Sequence, residues 1–215
     1  PGDFDIDVPG GHFYNQTGKD TPDPNDGFCV LGKMWAVFDG NIGTFGYPIS
    51  QPFVDVASRE AQAFQKAVIQ VNADGRVEYA NVFDLLSQAG KDAWLEGFRS
   101  VPRSFDWRTD IGRHWGGGPG SIEENHLRIL EPWPTLMAAY VSPSKWLDLY
   151  GLPMAVQDYG NLVTVRGQRA ALQLWRVDTS WGTKAGGVDV ANGADVAKEL
   201  GVLPGYSGNP ALKYR

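Results

Sequence analysis

One pattern occurs twice in this chain. Phe45-Gly46-Tyr47-Pro48, Gln65-Lys66-Ala67-Val68-Ile69-Gln70 and Val77-Glu78-Tyr79-Ala80-Asn81-Val82-Phe83-Asp84 come back in the same order as Tyr150-Gly151-Leu152-Pro153, Gln168-Arg169-Ala170-Ala171-Leu172-Gln173 and Val188-Asp189-Val190-Ala191-Asn192-Gly193-Ala194-Asp195. Each series then ends on an acid or its amide followed by glycine, Gln88 with Gly90 and Glu199 with Gly201. Matched blocks in a fixed order mark related structural units. Architecture is what such units share, so function is better sought where they differ.

The spacing predicts the same elements in both. Phe28, Leu31, Met34, Trp35 and Phe38 fall at helical spacing ahead of Gly40, which predicts a helix with its Trp35 stripe inward. After the Phe-Gly-Tyr-Pro loop, Gln65, Ala67, Ile69 and Val71 share one face of a period-two strand, Asp74-Gly75 turns it, and Val77 to Ala80 return. Asn81 reads as a cap, with Asp84 in the first turn of a short helix that Gly90 stops. In the second unit Ser142 reads as an N-cap, Pro143 as first helical residue and Lys145 to Tyr150 as helix. A strand from Thr164 to Trp175 and an Asn192 cap follow. Gln65 and Gln168 sit on otherwise apolar faces, so their amides need partners, and the Phe-Gly-x-Pro-type loop is the nearest source. The expectation is an α+β protein of two related units, each with a short helix, an FGxP loop, a β-hairpin and a capped short helix. Residues 1–90 form the first with an N-terminal extension, 91–133 a non-repeating connector, and 134–215 the second.

Composition limits the function. The chain has 215 residues, 19 Lys and Arg against 25 Asp and Glu, and a formal charge of −6. With no dense basic cluster to neutralise phosphates, nucleic acid is not an expected partner. No apolar run reaches membrane-spanning length. The single cysteine, Cys29, excludes an internal disulfide and a cysteine-based zinc site, and it reads as a small hydrophobe beside the apolar stripe. His12, His114 and His126 lack zinc-hydrolase spacing, and no Gly-x-Ser-x-Gly elbow occurs. The Gly116-Gly117-Gly118-Pro119-Gly120 run lacks the Gly-Lys-Ser/Thr ending of a phosphate loop. Ser121-Ile122-Glu123-Glu124 matches a capping box for a helix through Leu130. Glu123 and Glu124 could serve glycoside hydrolysis if a second acid stood at the right distance, and otherwise face solvent.

The main difference between the units lies in their hairpins. Val71 to Val77 takes six steps and Leu174 to Val188 fourteen, an insert of eight that carries Trp181. Trp181 either contacts a partner or sugar, or folds back over its own sheet. Eight tryptophans are present; among them Trp35, Trp146 and Trp175 have packing roles, and Trp107, Trp115, Trp133 and Trp181 are the binding candidates. Asp20, Asp23, Asn25, Asp26 and Gly27 offer oxygen ligands of the kind calcium takes, although Pro22 and Pro24 break regular ligand spacing. Asn15-Gln16-Thr17 fits the glycosylation sequon, which has meaning in an exported chain.

His12-Phe13-Tyr14-Asn15-Gln16-Thr17-Gly18, Gly27-Phe28 leading to Trp35, Phe45-Gly46-Tyr47-Pro48-Ile49-Ser50 and Gln62-Ala63-Phe64-Gln65-Lys66-Ala67 together resemble the F/Y-x-x-T-G, W, F-G-Y-P-x-S, Q-x-F-Q/E-R module of secreted bacterial surface proteins. They are similar, more distantly, to LGFP repeats of envelope proteins. The segment from Tyr150 to Trp175 resembles the companion half beside that module. The resemblance implies an extracellular or cell-surface location, attachment to the envelope or to carbohydrate, and no shared catalytic residues. The resulting expectation is a non-catalytic binding or assembly module with a glycan or protein partner. An envelope-directed glycan hydrolase is the alternative.

Overall fold

The computed structural model describes residues 4–17 and 26–203. Residues 1–82 together with 192–215 form one compact unit, and residues 83–191 the other. The segment 91–133 thus belongs to the second compact unit.

In the first unit, β1 (Asp5–Val8), β2 (Gly11–Tyr14) and β3 (Phe28–Leu31) form an antiparallel sheet in that order. Helix α1 follows over Gly32–Phe38. The helical stripe expected from Phe28 therefore splits. Phe28 to Leu31 are aromatic and β-branched or small enough to pleat, and they pair with Tyr14 to Gly11. Phe28 and Val30 point inward, and Gly32, at φ 55°, ends the strand before Met34 and Phe38 are buried from the helix. Helix α2 (Ile42–Phe45) leads into the Phe45–Pro48 loop, and β4 (Phe53–Val54), β5 (Glu60–Ala63), β6 (Val68–Val71) and β7 (Val77–Tyr79) make a four-stranded antiparallel meander.

Gln65 and Lys66 do not lie in a strand. They turn β5 into β6, with Phe64 N–H bonded to Ala67 C=O at 2.8 Å. The Gln65 side chain still reaches the expected loop, where its Oε1 accepts from Tyr47 N–H at 3.0 Å. Helix α3 (Val82–Gln88) passes into the second unit. There α4 (Asp92–Arg99), a 3₁₀ turn at Arg108–Asp110, α5 (Ile122–Leu127), a second 3₁₀ turn at Arg128–Leu130, α6 (Pro134–Val141) and α7 (Trp146–Tyr150) precede β8 (Pro153–Asp158), β9 (Leu162–Gly167), β10 (Ala171–Trp175) and β11 (Val188–Val190). These strands form a second sequential antiparallel meander.

The strand expected from Thr164 to Trp175 is two strands joined by a tight turn, Gly167 N–H to Ala170 C=O at 2.7 Å. Gln168 in that turn accepts from Leu152 N–H at 3.1 Å, the same contact Gln65 makes in the first unit. Gly46 and Gly151 hold matching left-handed conformations, φ 75° and 73°. A Cβ on either would stand 2.7 Å from the Cβ of its glutamine, so both turns require glycine.

Ser142 is the C-cap of α6, and Lys145 stands at the start of α7. Pro134 already opens α6, and the apolar run Leu136 to Val141 carries that helix up to Ser142. Helix α8 (Gly193–Glu199) begins at Asn192 as expected, but the Asn192 side chain makes no cap bond and donates instead to Asp195 at 3.3 Å. Helix α8 belongs to the first unit, where Asp195 N–H bonds Gln65 C=O at 3.2 Å and Lys198 Nζ bonds Ile49 C=O at 3.1 Å.

Arg166 on β9 is 0% exposed. Its guanidinium bonds Asp92 at 2.8 Å and Pro102 C=O at 3.1 Å, and it also donates to Phe83 C=O and Ser87 Oγ. One buried cation thus ties α3, α4 and the segment after α4 to the sheet. Ala63 holds the corresponding place in the first sheet, two residues ahead of the turn glutamine. Beside this anchor, Leu136, Tyr140, Val163, Val165 and Leu172 form a buried apolar cluster between α6 and the sheet.

Candidate functional site

The long β10–β11 connection is tightly bonded to itself. Trp175 N–H bonds Gly187 C=O at 2.9 Å and Gly186 N–H bonds Trp175 C=O at 2.7 Å, which carries the hairpin outward. Beyond that, Thr179 N–H meets Thr183 C=O at 2.8 Å, and Thr183 N–H meets Thr179 Oγ1 at 2.9 Å. Asp178 accepts from Lys184 at 2.7 Å and from Ala185 N–H at 3.0 Å. The loop base is fixed by Arg176, which forms a two-pronged pair with Asp158 at 2.8 Å and lies over the Trp133 ring at 5.6 Å.

Trp181 sits at the head of this loop and is 65% exposed. Its Nε1 donates to Asp189 at 3.1 Å, Thr183 Oγ1 donates to the same carboxylate, and the ring meets Trp175 edge-on at 5.1 Å and 82°. The ring thus rests against its own sheet, on Trp175 and Asp189, while more than half of it stays exposed. The two contacts fix the orientation of the ring.

The other candidate tryptophans divide. Trp133 packs against the apolar cluster and supports Arg176 at the loop base. Trp107 lies parallel to His126 at 3.5 Å and 15°, with Nε1 donating to Met154 C=O at 3.0 Å. His126 is itself buried, bonded to Pro153 C=O at 2.7 Å and Asp110 at 2.8 Å. Trp107 therefore serves packing. Trp115 is 63% exposed within the glycine-rich segment. Among these four residues the structure links Trp181 and Trp133 to one loop. Of the residues that hold that loop, Thr183 and Arg176 carry no sequence signal beyond their place in the insert, and Asp189 appears only as a member of the repeated Val188-Asp189-Val190 block.

The glycine-rich segment grips carboxylates of the chain itself. Ser121 Oγ accepts from Glu124 N–H at 3.0 Å, as the capping box predicts. Glu123 Oε1 accepts from Gly116 N–H at 3.0 Å, and Glu124 Oε2 from Gly120 N–H at 2.6 Å, while Glu124 also pairs with Arg128 at 3.2 Å. Burial alone would raise the Glu123 carboxyl, but N–H donation, led by Gly116, brings it below the usual range. Glu124 is lowered by Gly120 and Arg128. A glycosidase acid must stay protonated to serve the leaving group, and both of these carboxyls are pushed the opposite way.

The remaining candidates lie elsewhere. Burial raises the Cys29 thiol, away from the thiolate a nucleophile requires. Asp20 and Asp23 fall outside the described residues, and Asp26 lies just inside them. Among the described residues no group of three or more His, Cys, Asp or Glu is placed to hold a metal ion. Asn15 is fully buried, and its Oδ1 accepts from Phe4 N–H at 2.7 Å, so the folded chain does not offer this amide for glycosylation. No described helix is long and apolar enough to cross a membrane. The fold is that of an α+β protein. Comparison with known protein families, curated proteins and solved structures finds no match.

Proposed function

We propose that this chain is a non-catalytic binding module of the cell surface or envelope that engages a glycan through the loop carrying Trp181. The single observation behind this reading is the exposed Trp181 ring, held by Asp189 and Trp175 on a hairpin bonded across its length. A flat aromatic face fixed beside hydroxyl and carboxylate groups suits a sugar ring, whose C–H face stacks while its hydroxyls bond. The resemblance of the first unit to secreted surface modules supports an exported setting. The lowered carboxyls of Glu123 and Glu124 suit neither residue to the protonated general acid that glycan hydrolysis needs.

Binding to a panel of envelope polysaccharides tests this reading. Trp181→Ala should weaken the interaction by about 2 kcal/mol or more and move the unfolding midpoint little, since an exposed side chain contributes little to folding. Unchanged affinity alongside lost stability would remove the loop from the functional account.

A further inference from the structure

Two indoles and a carboxylate come together at the head of the β10–β11 loop. Trp175 and Trp181 meet at 5.1 Å with an interplanar angle of 82°, so they present two ring faces at a right angle rather than one continuous plane. Trp181 is the more open of the two, and Trp175 is half-buried. Asp189 stands at the edge of the Trp181 ring. Its Oδ2 takes both protein donors, Trp181 Nε1 and Thr183 Oγ1, and its Oδ1 has no partner among the described residues.

The charge at this corner is unbalanced. Besides Asp189, the stretch from Trp175 to Val190 carries Arg176, Asp178 and Lys184. Arg176 is held by Asp158 and lies over Trp133, and Lys184 is paired with Asp178. Across the sheet Asp189 is paired in register with Gln173, an uncharged amide that donates to Arg99 C=O at 3.1 Å, while the Arg99 guanidinium lies over the Trp94 ring at 4.8 Å. Both bonds that Asp189 accepts come from neutral donors, so its charge has no counter-ion in the loop.

An indole face and an uncompensated carboxylate both attract a cation, and together they do so more strongly than either alone. Shape then narrows the class. A flat sugar ring rests on one indole face, whereas the methyl groups of a tetrahedral trimethylammonium touch two faces set at a right angle. A primary ammonium brings several N–H donors, and the corner answers them with Asp189 Oδ1 alone, so part of its hydration would be lost without replacement. A fully methylated ammonium has no donors to satisfy.

We propose that the corner formed by Trp175, Trp181 and Asp189 binds a methylated ammonium group carried by the envelope glycan. The proposal rests on the reading of this loop as a glycan contact and adds the substituent that it selects. Trp181 and Trp175 supply the two faces, and Asp189 supplies the charge.

Titration calorimetry on the full chain tests it, with choline as probe against ethanolamine and against the neutral alcohol in which carbon replaces the choline nitrogen. Choline should bind about tenfold or more tighter than either, and its affinity should fall as salt rises. D189N keeps an acceptor for Trp181 Nε1 and removes the charge, so it should weaken choline binding by a similar factor while the unfolding midpoint holds, and W181A should abolish it. Should D189N lower the midpoint instead, the comparison of choline with its neutral isostere on the parent chain decides. Equal affinity for those two, or choline binding that a folded D189N leaves unchanged, overturns the proposal. A choline-substituted polysaccharide should also bind more tightly than the same polymer stripped of choline, and tighter binding to phosphatidylcholine vesicles than to that polymer would assign the cation to a lipid and overturn the glycan source. If plain polysaccharides bind through Trp181 and choline does not, this inference falls and the proposed function stands. If choline binds and no polysaccharide does, the corner stands as a cation site and the glycan reading falls.

Discussion

Arg166 shows how a single residue can organise a unit while leaving little trace in sequence. In Val163-Thr164-Val165-Arg166-Gly167 it occupies the place where a strand ordinarily shows a polar side chain to water. The structure instead buries it among Asp92, Ser87 and two carbonyls. Burial by itself would raise the Asp92 carboxyl, but bonds from Arg166 and Ser87 outweigh it and the net shift is downward. A carboxyl lowered in the folded state stabilises at pH above its unfolded value, and the stabilisation is lost as pH falls through the folded value. Asp92→Asn should therefore cost about 3 kcal/mol at neutral pH, the lower end for breaking a buried pair because Asp92 keeps 27% exposure. The same variant should lose less stability than the parent on acidification. Denaturant titrations at neutral and acidic pH check both points, and a gap between parent and variant that does not narrow in acid would show that the pair is not the source.

At the level of elements, the two glutamine turns were legible as a need and misread as a shape. The apolar residues around Gln65 and Gln168 continue at period two through both turns, and neither turn dipeptide contains the Gly or Asn that usually marks a hairpin. A continuous strand was therefore the natural reading. What chemistry did reveal was that an amide on an apolar face needs a partner, and that the neighbouring glycine-proline loop would provide it. The helical reading from Phe28 failed because a three- and four-residue spacing over so few apolar residues also fits a strand followed by a helix. The packing of Trp107 on His126 was out of reach, since the two lie in a segment with no periodic pattern. Gln168→Ala should leave Leu152 N–H without its acceptor and cost about 1–3 kcal/mol, and Gln65→Ala should do the same to Tyr47 N–H. The two losses share no partner, so in urea unfolding their sum should match the double variant. A near-zero cost at either site would mean that water replaces the amide.

On the scale of the whole molecule, the hairpin order is readable from sequence but the placing of the closing helices is not. Each meander is followed in the chain by a short helix, and order alone suggests that the helix covers the sheet just completed. The compact units say otherwise: α3 continues into the unit of residues 83–191, where Phe83 N–H bonds Gln168 C=O at 3.1 Å, and α8 belongs with residues 1–82, where Asp195 N–H bonds Gln65 C=O. The second unit is thus one continuous stretch inserted into the first, and the first is complete only after the chain has returned. Ala194 and Ala197 of α8 are fully buried, so removing that helix uncovers apolar surface in the unit it closes. A chain ending at Ala191 should lose the cooperative unfolding and slow amide exchange of residues 26–82. Residues 83–191 have their own core around Tyr140 and Val165 and keep both strands of the Trp181 hairpin, so their exchange protection should persist. Hydrogen exchange read by segment separates the two. Equal loss of protection across both stretches would mean that the units fold as one cooperative body, and unchanged protection in residues 26–82 would show that α8 is dispensable to the unit it closes.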